Sequence, residues 1–189
     1  LGVCARQPET STAFAHLLQG LLRPTEGSIM VDGSDINTFN LQHFRSSVAL
    51  VDRTNHFFAG TIRDNFQRVL PNANNDRIAW ACGMANLQTA MDEINVTVDS
   101  DIDELDALGG ENFKLKLSLA RALIRNPKIL ILDDVISAMD SDSVLQFKKS
   151  FPKLSKGRTV VLISRNVYDL TVCKKIAFFE GPKLVQFGN

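Results

Sequence analysis

No lysine precedes Lys114 in this chain of 189 residues, and no histidine follows His56. Chemistry in the first 113 residues therefore has no local lysine with which to neutralise an anion. Beyond residue 56 there is no imidazole to act as acid, base or switch. Formal net charge is zero, which removes the electrostatic case for nucleic acid or an acidic membrane surface as partner. The longest apolar runs, such as "ILIL" at 129–132, are strand-sized and far too short to span a bilayer. Only three cysteines occur, Cys4, Cys82 and Cys173, widely separated and without metal-ligand spacing, so buried thiols in a reducing compartment are expected. No secretory leader is visible. Leu1 falls inside an apparent strand, which reads as a piece cut from a longer chain.

What is present is ordinary for a globular protein: 44% apolar and 22% charged residues. Short β-type runs alternate with helical patterns, which predicts an α/β fold with a largely parallel sheet. "LGVC" (1–4), "VALV" (48–51), "KILILDD" (128–134) and "RTVVLIS" (158–164) read as buried strands, and "GSIMVDG" (27–33) as a strand closed by glycine. Helices are predicted at "FAHLLQGLL" (14–22), "LQHFRSS" (41–47), "KLKLSLARALIRN" (114–126) and "SDSVLQFKKSF" (141–151), and a terminal hairpin at "IAFFEGPKLVQFG" (176–188). From about 61 to 105 helical periodicity dominates, broken by the turn-favouring "PNANN". The expected organisation is one core made of 1–60 and 106–189, with a helical subdomain over 61–105.

Between the first strand and the first predicted helix lies "ARQPETSTA" (5–13). Strand, tight loop and helix in that order form a frame for gripping phosphates, yet this loop contains neither glycine nor lysine.

Four segments carry a family resemblance: "GLLRPTEGSIMVDG" (20–33), "FFAGTIRDN" (57–65), "SLARALIRNPKILILDD" (118–134) and "SAMD" (137–140). In this order over nearly the whole length they resemble the nucleotide-binding domain of an ABC transporter of the exporter type. That resemblance implies a RecA-like P-loop core with an ABC helical subdomain, and face-to-face pairing with a second such domain, as a homo- or heterodimer, with ATP and Mg2+ between the two. It also implies a transmembrane domain outside this chain, a location at the cytoplasmic face of a membrane, and a missing β region ahead of residue 1.

Aligned on the family pattern, the chemical positions are altered. Ala5, Pro8 and Thr10 fall at the phosphate loop's glycines, Ser11 at its lysine, Thr12 at the magnesium-ligating hydroxyl and Ala13 just after it. A one-residue gap would put Thr10 at the lysine site and still supply no lysine. Pro8 lacks an N–H and Glu9 brings negative charge, both unsuited to a cradle. Asp133 falls at the magnesium-linked carboxylate and Asp134 at the catalytic glutamate, one methylene shorter than the family's base. Without a phosphate loop to hold magnesium, solvated or internally paired carboxylates are the preferred reading of these two. Arg53 stands at the glutamine of the Q-loop and Arg165 at the switch histidine. The signature "L-S-G-G-Q" aligns with "GGENF" (109–113), or is shortened by a deletion; neither alignment reproduces it.

The resemblance places both arginines near Asp133 and Asp134. Either ion pairs take the place of Mg-ATP, or the arginines are solvated in unconstrained loops. Phe57, Phe58 and Phe66 flank the segment that, by resemblance, receives the transmembrane domain, with core packing as the alternative. The leading expectation is a degenerate coupling and dimerisation domain with weak or no hydrolysis of its own. The alternatives are a slow Mg-ATPase using Asp134 or a passive ATP binder, with phosphates held by Ser11, Thr12 and backbone groups, and a regulatory scaffold without nucleotide.

Overall fold

The computed structural model describes residues 1–5, 7–108 and 110–188, with the backbone alone at 106–108. The chain divides into two compact units: 1–52 with 127–137 and 157–189, and 53–126 with 138–156.

The first unit is built on a six-stranded sheet of order β4-β5-β6-β1-β7-β8. Its strands are β1 (Gly2–Ala5), β4 (Val48–Val51), β5 (Ile129–Asp133), β6 (Thr159–Ser164), β7 (Ile176–Glu180) and β8 (Lys183–Gly188). All neighbours pair in parallel except β7 and β8, which form the closing hairpin. The parallel strands are buried nearly throughout, which is why they read as continuous apolar runs rather than alternating ones. Helix α1 (Pro8–Leu18) lays Ala15, Phe14 and Leu18 on Val3, Ile131, Val161 and Ile163. Gly2 is required by close approach, since a Cβ there would stand 3.1 Å from that of Leu170.

The "GSIMVDG" segment is not one strand. It forms β2 (Met30–Val31) and β3 (Ser34–Asp35), joined across Asp32 and Gly33 at φ 49° and 80°. Two successive positive φ values belong to a tight hairpin turn, for which Asp-Gly is a favoured pair. Helix α2 (Leu41–Ser46) begins where the Asn40 side chain accepts from the His43 N–H.

The second unit is helical: α3 (Ile62–Val69), α4 (Asn75–Met84), α5 (Leu87–Glu93), α6 (Ile102–Leu108), α7 (Gly110–Leu123) and α8 (Ser141–Ser155). Ile62, Phe66, Ile78, Leu87, Met91, Leu115 and Leu123 are fully buried in it. A reciprocal capping box starts α3, with Thr61 accepting from the Asp64 N–H and Asp64 from that of Thr61. Asn65 is completely buried; it accepts from the Phe58 N–H (2.9 Å) and donates to the Phe58 and Thr61 carbonyls (2.8 and 3.1 Å). Phe66 is core, Phe57 is half-buried beneath the Arg121 guanidinium, and Phe58 is 53% exposed with Arg68 over its ring.

Replacing fully buried Ile131 by alanine is expected to lower unfolding stability by about 2–5 kcal/mol in urea, because the parallel sheet cannot collapse onto the cavity. A loss under about 1 kcal/mol would contradict its place in the core. Asn65→Ala leaves the Phe58 N–H without its acceptor and is expected to cost about 1–3 kcal/mol in the same measurement.

Candidate functional site

Parallel strands bring their carboxyl ends to one edge, where the turns that follow them can meet. Register sets Cys4 opposite Ser164 and Asp133 opposite Ile163, so the ends of β1, β5 and β6 lie side by side. The turn after β1, the aspartates after β5 and the turn after β6 therefore converge there, all within the first unit.

The turn after β1 differs from the sequence expectation. Helix α1 begins at Pro8, six residues before the predicted start at 14. Only residues 6 and 7 separate it from β1. Proline at the first helical position has its φ already set and no N–H to satisfy, and Glu9 sits in the first turn where a negative charge is favoured. No glycine is present to hold "PETSTA" in an open loop, and the segment closes into helix. The N–H groups of Thr10 and Ser11 donate to the Gln7 carbonyl (3.1 and 3.4 Å). The Ser11 hydroxyl donates to the Pro8 carbonyl (2.9 Å), and the Thr10 hydroxyl to that of Gly181 (3.2 Å). Thr12 is exposed and Ala13 half-buried, each within the helix.

Asp133 ends β5, and its Oδ1 is buried without a hydrogen-bond partner among the described residues. Burial pushes its pKa up to about 6, and the charges of Asp134 and Asp52 push the same way, while the Ser11 hydroxyl and His16 oppose them. Asp134 follows at φ 53°, in the left-handed region. Its N–H donates to the Ile163 carbonyl (2.9 Å), its own carbonyl accepts from the Ser137 hydroxyl (2.7 Å), and its Oδ2 accepts from Arg165 Nη2 (2.9 Å). Of the two arginines that the resemblance places near these aspartates, Arg165 is paired with Asp134. Arg53 belongs to the second unit.

In "GGENF", Gly109 lies outside the described residues. Gly110 to Phe113 form the first turn of α7, with Phe113 buried. Asn112 donates to Asp140 Oδ2 (2.8 Å) and Ser143 Oγ (2.7 Å) and so ties α7 to the start of α8. The sequence carries no cue for this tie, which joins residues 28 apart. Cys4 and Cys82 are buried and Cys173 half-buried; burial raises the Cys82 thiol to about 11. Among the described residues no three His, Cys, Asp or Glu side chains gather as metal ligands.

Asp133 gives a pH test with a definite sign. Its folded pKa lies above the unfolded value of 3.8, so the stability it contributes is complete below about pH 4 and is lost as pH rises through about 6. Asp133→Asn is therefore expected to raise Tm relative to the parent at pH 7.5 and to lose that advantage towards pH 4. A Tm difference that does not change with pH would refute the raised pKa.

The model of the family described as "ABC transporter" matches residues 11–137. "Heterocyst differentiation ATP-binding protein HepA" of Nostoc sp. is 32% identical over 178 residues, which are 94% of this chain and 29% of that protein. "Multidrug resistance protein homolog 65" of Drosophila melanogaster is 33% identical over 174 residues, covering 92% of this chain and 13% of the relative. The chain thus spans less than a third of the length of these two relatives. The solved structure described as "Structure of a bacterial Atm1-family ABC exporter with ATP bound" superposes with a TM-score of 0.84 at 21% identity, over 99% of this chain and 33% of the other, a likeness of fold. With more than half of its residues matched by the family model, the sheet order and the helical unit described above are those of a chain that belongs to the ABC transporter family.

Proposed function

We propose that this chain is the nucleotide-binding domain of an ABC exporter whose own site does not grip Mg-ATP, and that it acts as a pairing and coupling element. Its partners in this reading are a second nucleotide-binding domain, which carries the hydrolysis, and the exporter's transmembrane domain, at the cytoplasmic face of a membrane. Within it, we take 61–105 as the helical subdomain and 1–60 with 106–189 as the core, a narrower division than the compact helical unit, which also holds α7 and α8. The family match and relatives named as multidrug resistance proteins support the placement in an exporter.

The observation that carries the loss of nucleotide chemistry is the start of α1 at Pro8. A phosphate cradle needs a loop of several residues whose N–H groups converge on the anion, together with a lysine to balance charge. Here two residues separate β1 from α1, and the N–H groups of Thr10 and Ser11 are already bonded to Gln7. The hydroxyls of Thr10 and Ser11 are bonded within the protein as well, and no lysine precedes Lys114. The residues present do not fit the triphosphate. Magnesium would lack partners from α1: Asp134 is held by Arg165, and the Thr10 and Ser11 hydroxyls are bonded within the protein. Exposed Phe58, its backbone fixed by buried Asn65, is an apolar contact available to a transmembrane domain.

Titration of the chain with Mg-ATP is expected to show no saturable binding in the micromolar range. Micromolar affinity would overturn the reading. Installing the missing groups together (Ala5→Gly, Pro8→Gly, Thr10→Gly and Ser11→Lys) is expected to confer binding where the parent has none.

A further inference from the structure

We propose that Arg165 is a built-in counter-ion that fastens the turn after β6 to the turn after β5, so that both keep one conformation without a bound nucleotide. The inference deepens the proposed function: it names what holds this end of the sheet when Mg-ATP does not.

Asp134 is the point to be held. A residue with a Cβ at φ 53° is disfavoured, least so for aspartate and asparagine, and persists only where its surroundings fix it. Three hydrogen bonds do so: its N–H to Ile163, the Ser137 hydroxyl to its carbonyl, and Arg165 Nη2 to its Oδ2 at 2.9 Å. Of these, the Arg165 contact is the charged one, and it joins two turns 31 residues apart in sequence.

The Arg165 end is anchored too. The Ser164 hydroxyl donates to Asp169 Oδ2 (2.6 Å) and accepts from the Asn166 N–H (3.1 Å). The Asn166 side chain accepts from the Tyr168 N–H (3.1 Å). Cys4 Sγ lies 3.9 Å from the Arg165 carbonyl oxygen.

An exposed ion pair contributes little, because ordering two long side chains offsets a weak attraction. This pair departs from that case in two ways. The Asp134 side chain is only 17% exposed against 48% for Arg165, and both backbones are already fixed, so less freedom is lost on pairing. Asp134 is also short, which leaves the arginine's own rotamers as the chief entropic cost.

The test is amide hydrogen exchange, read by mass spectrometry in segments 134–137 and 164–172. Arg165→Gln and Asp134→Asn are each expected to speed exchange in both segments by about fivefold, the upper end for a partly exposed pair. Asparagine tolerates positive φ, so the second variant removes the charge without adding backbone strain. The double variant is expected to exchange no faster than the faster single one, as for two residues acting through one contact. Unchanged exchange in either single variant, or additive effects in the double, would overturn the proposal. Exchange is read without nucleotide, so its failure is distinct from that of the proposed function. Insensitive exchange with no Mg-ATP binding removes the fastening and leaves the coupling reading. Sensitive exchange with micromolar Mg-ATP affinity does the reverse.

Discussion

Everything at the site depends on the hydrogen bonds that the first turn of α1 makes with itself. An N–H that donates to a carbonyl in its own chain is not available to an anion, and a helix that starts at Pro8 commits those of Thr10 and Ser11 in this way. Proline at the first helical position and Glu9 in the first turn both favour that start, and no glycine in the segment favours an open loop. The side chains follow the backbone. Ser11 turns to Pro8, and Thr10 bridges to Gly181 in the β7–β8 hairpin. The remaining positions at this sheet edge are tied to one another, Arg165 to the Asp134 side chain and Ser137 to the Asp134 carbonyl.

The scaffold beneath rests on packing instead. The parallel strands keep their apolar runs and register, and α1 still covers Val3, Ile131, Val161 and Ile163. In the helical unit the α3 capping box and buried Asn65 hold their segments with satisfied polar contacts, and the Asn112 amide N–H groups tie α7 to Asp140 and Ser143. Burial constrains these residues through packing density, whereas the residues at the strand ends answer to chemistry at the surface. The two constraints are physically separable, so a fold of this family can persist while the residues at its strand ends change character.

That separation also explains how much could be read beforehand. The strands at 48–51, 129–133 and 159–164 were legible because each is an apolar run bounded by turn residues, and the family resemblance rested on such packing segments. The start of α1 was not, because apolar spacing begins only at Phe14 and the polar turn before it carries no periodicity. Pro8 followed by Glu9 is the available signal: unsuited to an open cradle, the pair suits the first turn of a helix. In "GSIMVDG" the turn residues Asp32–Gly33 fit the close of a strand as well as a hairpin, and the chain doubles back there. Between ion-paired and solvated arginines the sequence left an even choice. Arg165 is paired, since the turn after β6 begins beside Asp134. The tie from Asn112 to Asp140 needs a tertiary contact between α7 and α8 that no local pattern announces.

The most direct measurement is the set of backbone 13C chemical shifts of residues 8–13, recorded with and without saturating Mg-ATP. Helical values from Glu9 onward that do not move when Mg-ATP is added are expected if the turn is closed by its own hydrogen bonds. Non-helical values at residues 9–11, or shifts there that change strongly with Mg-ATP, would contradict the claim that this frame has no grip on phosphate.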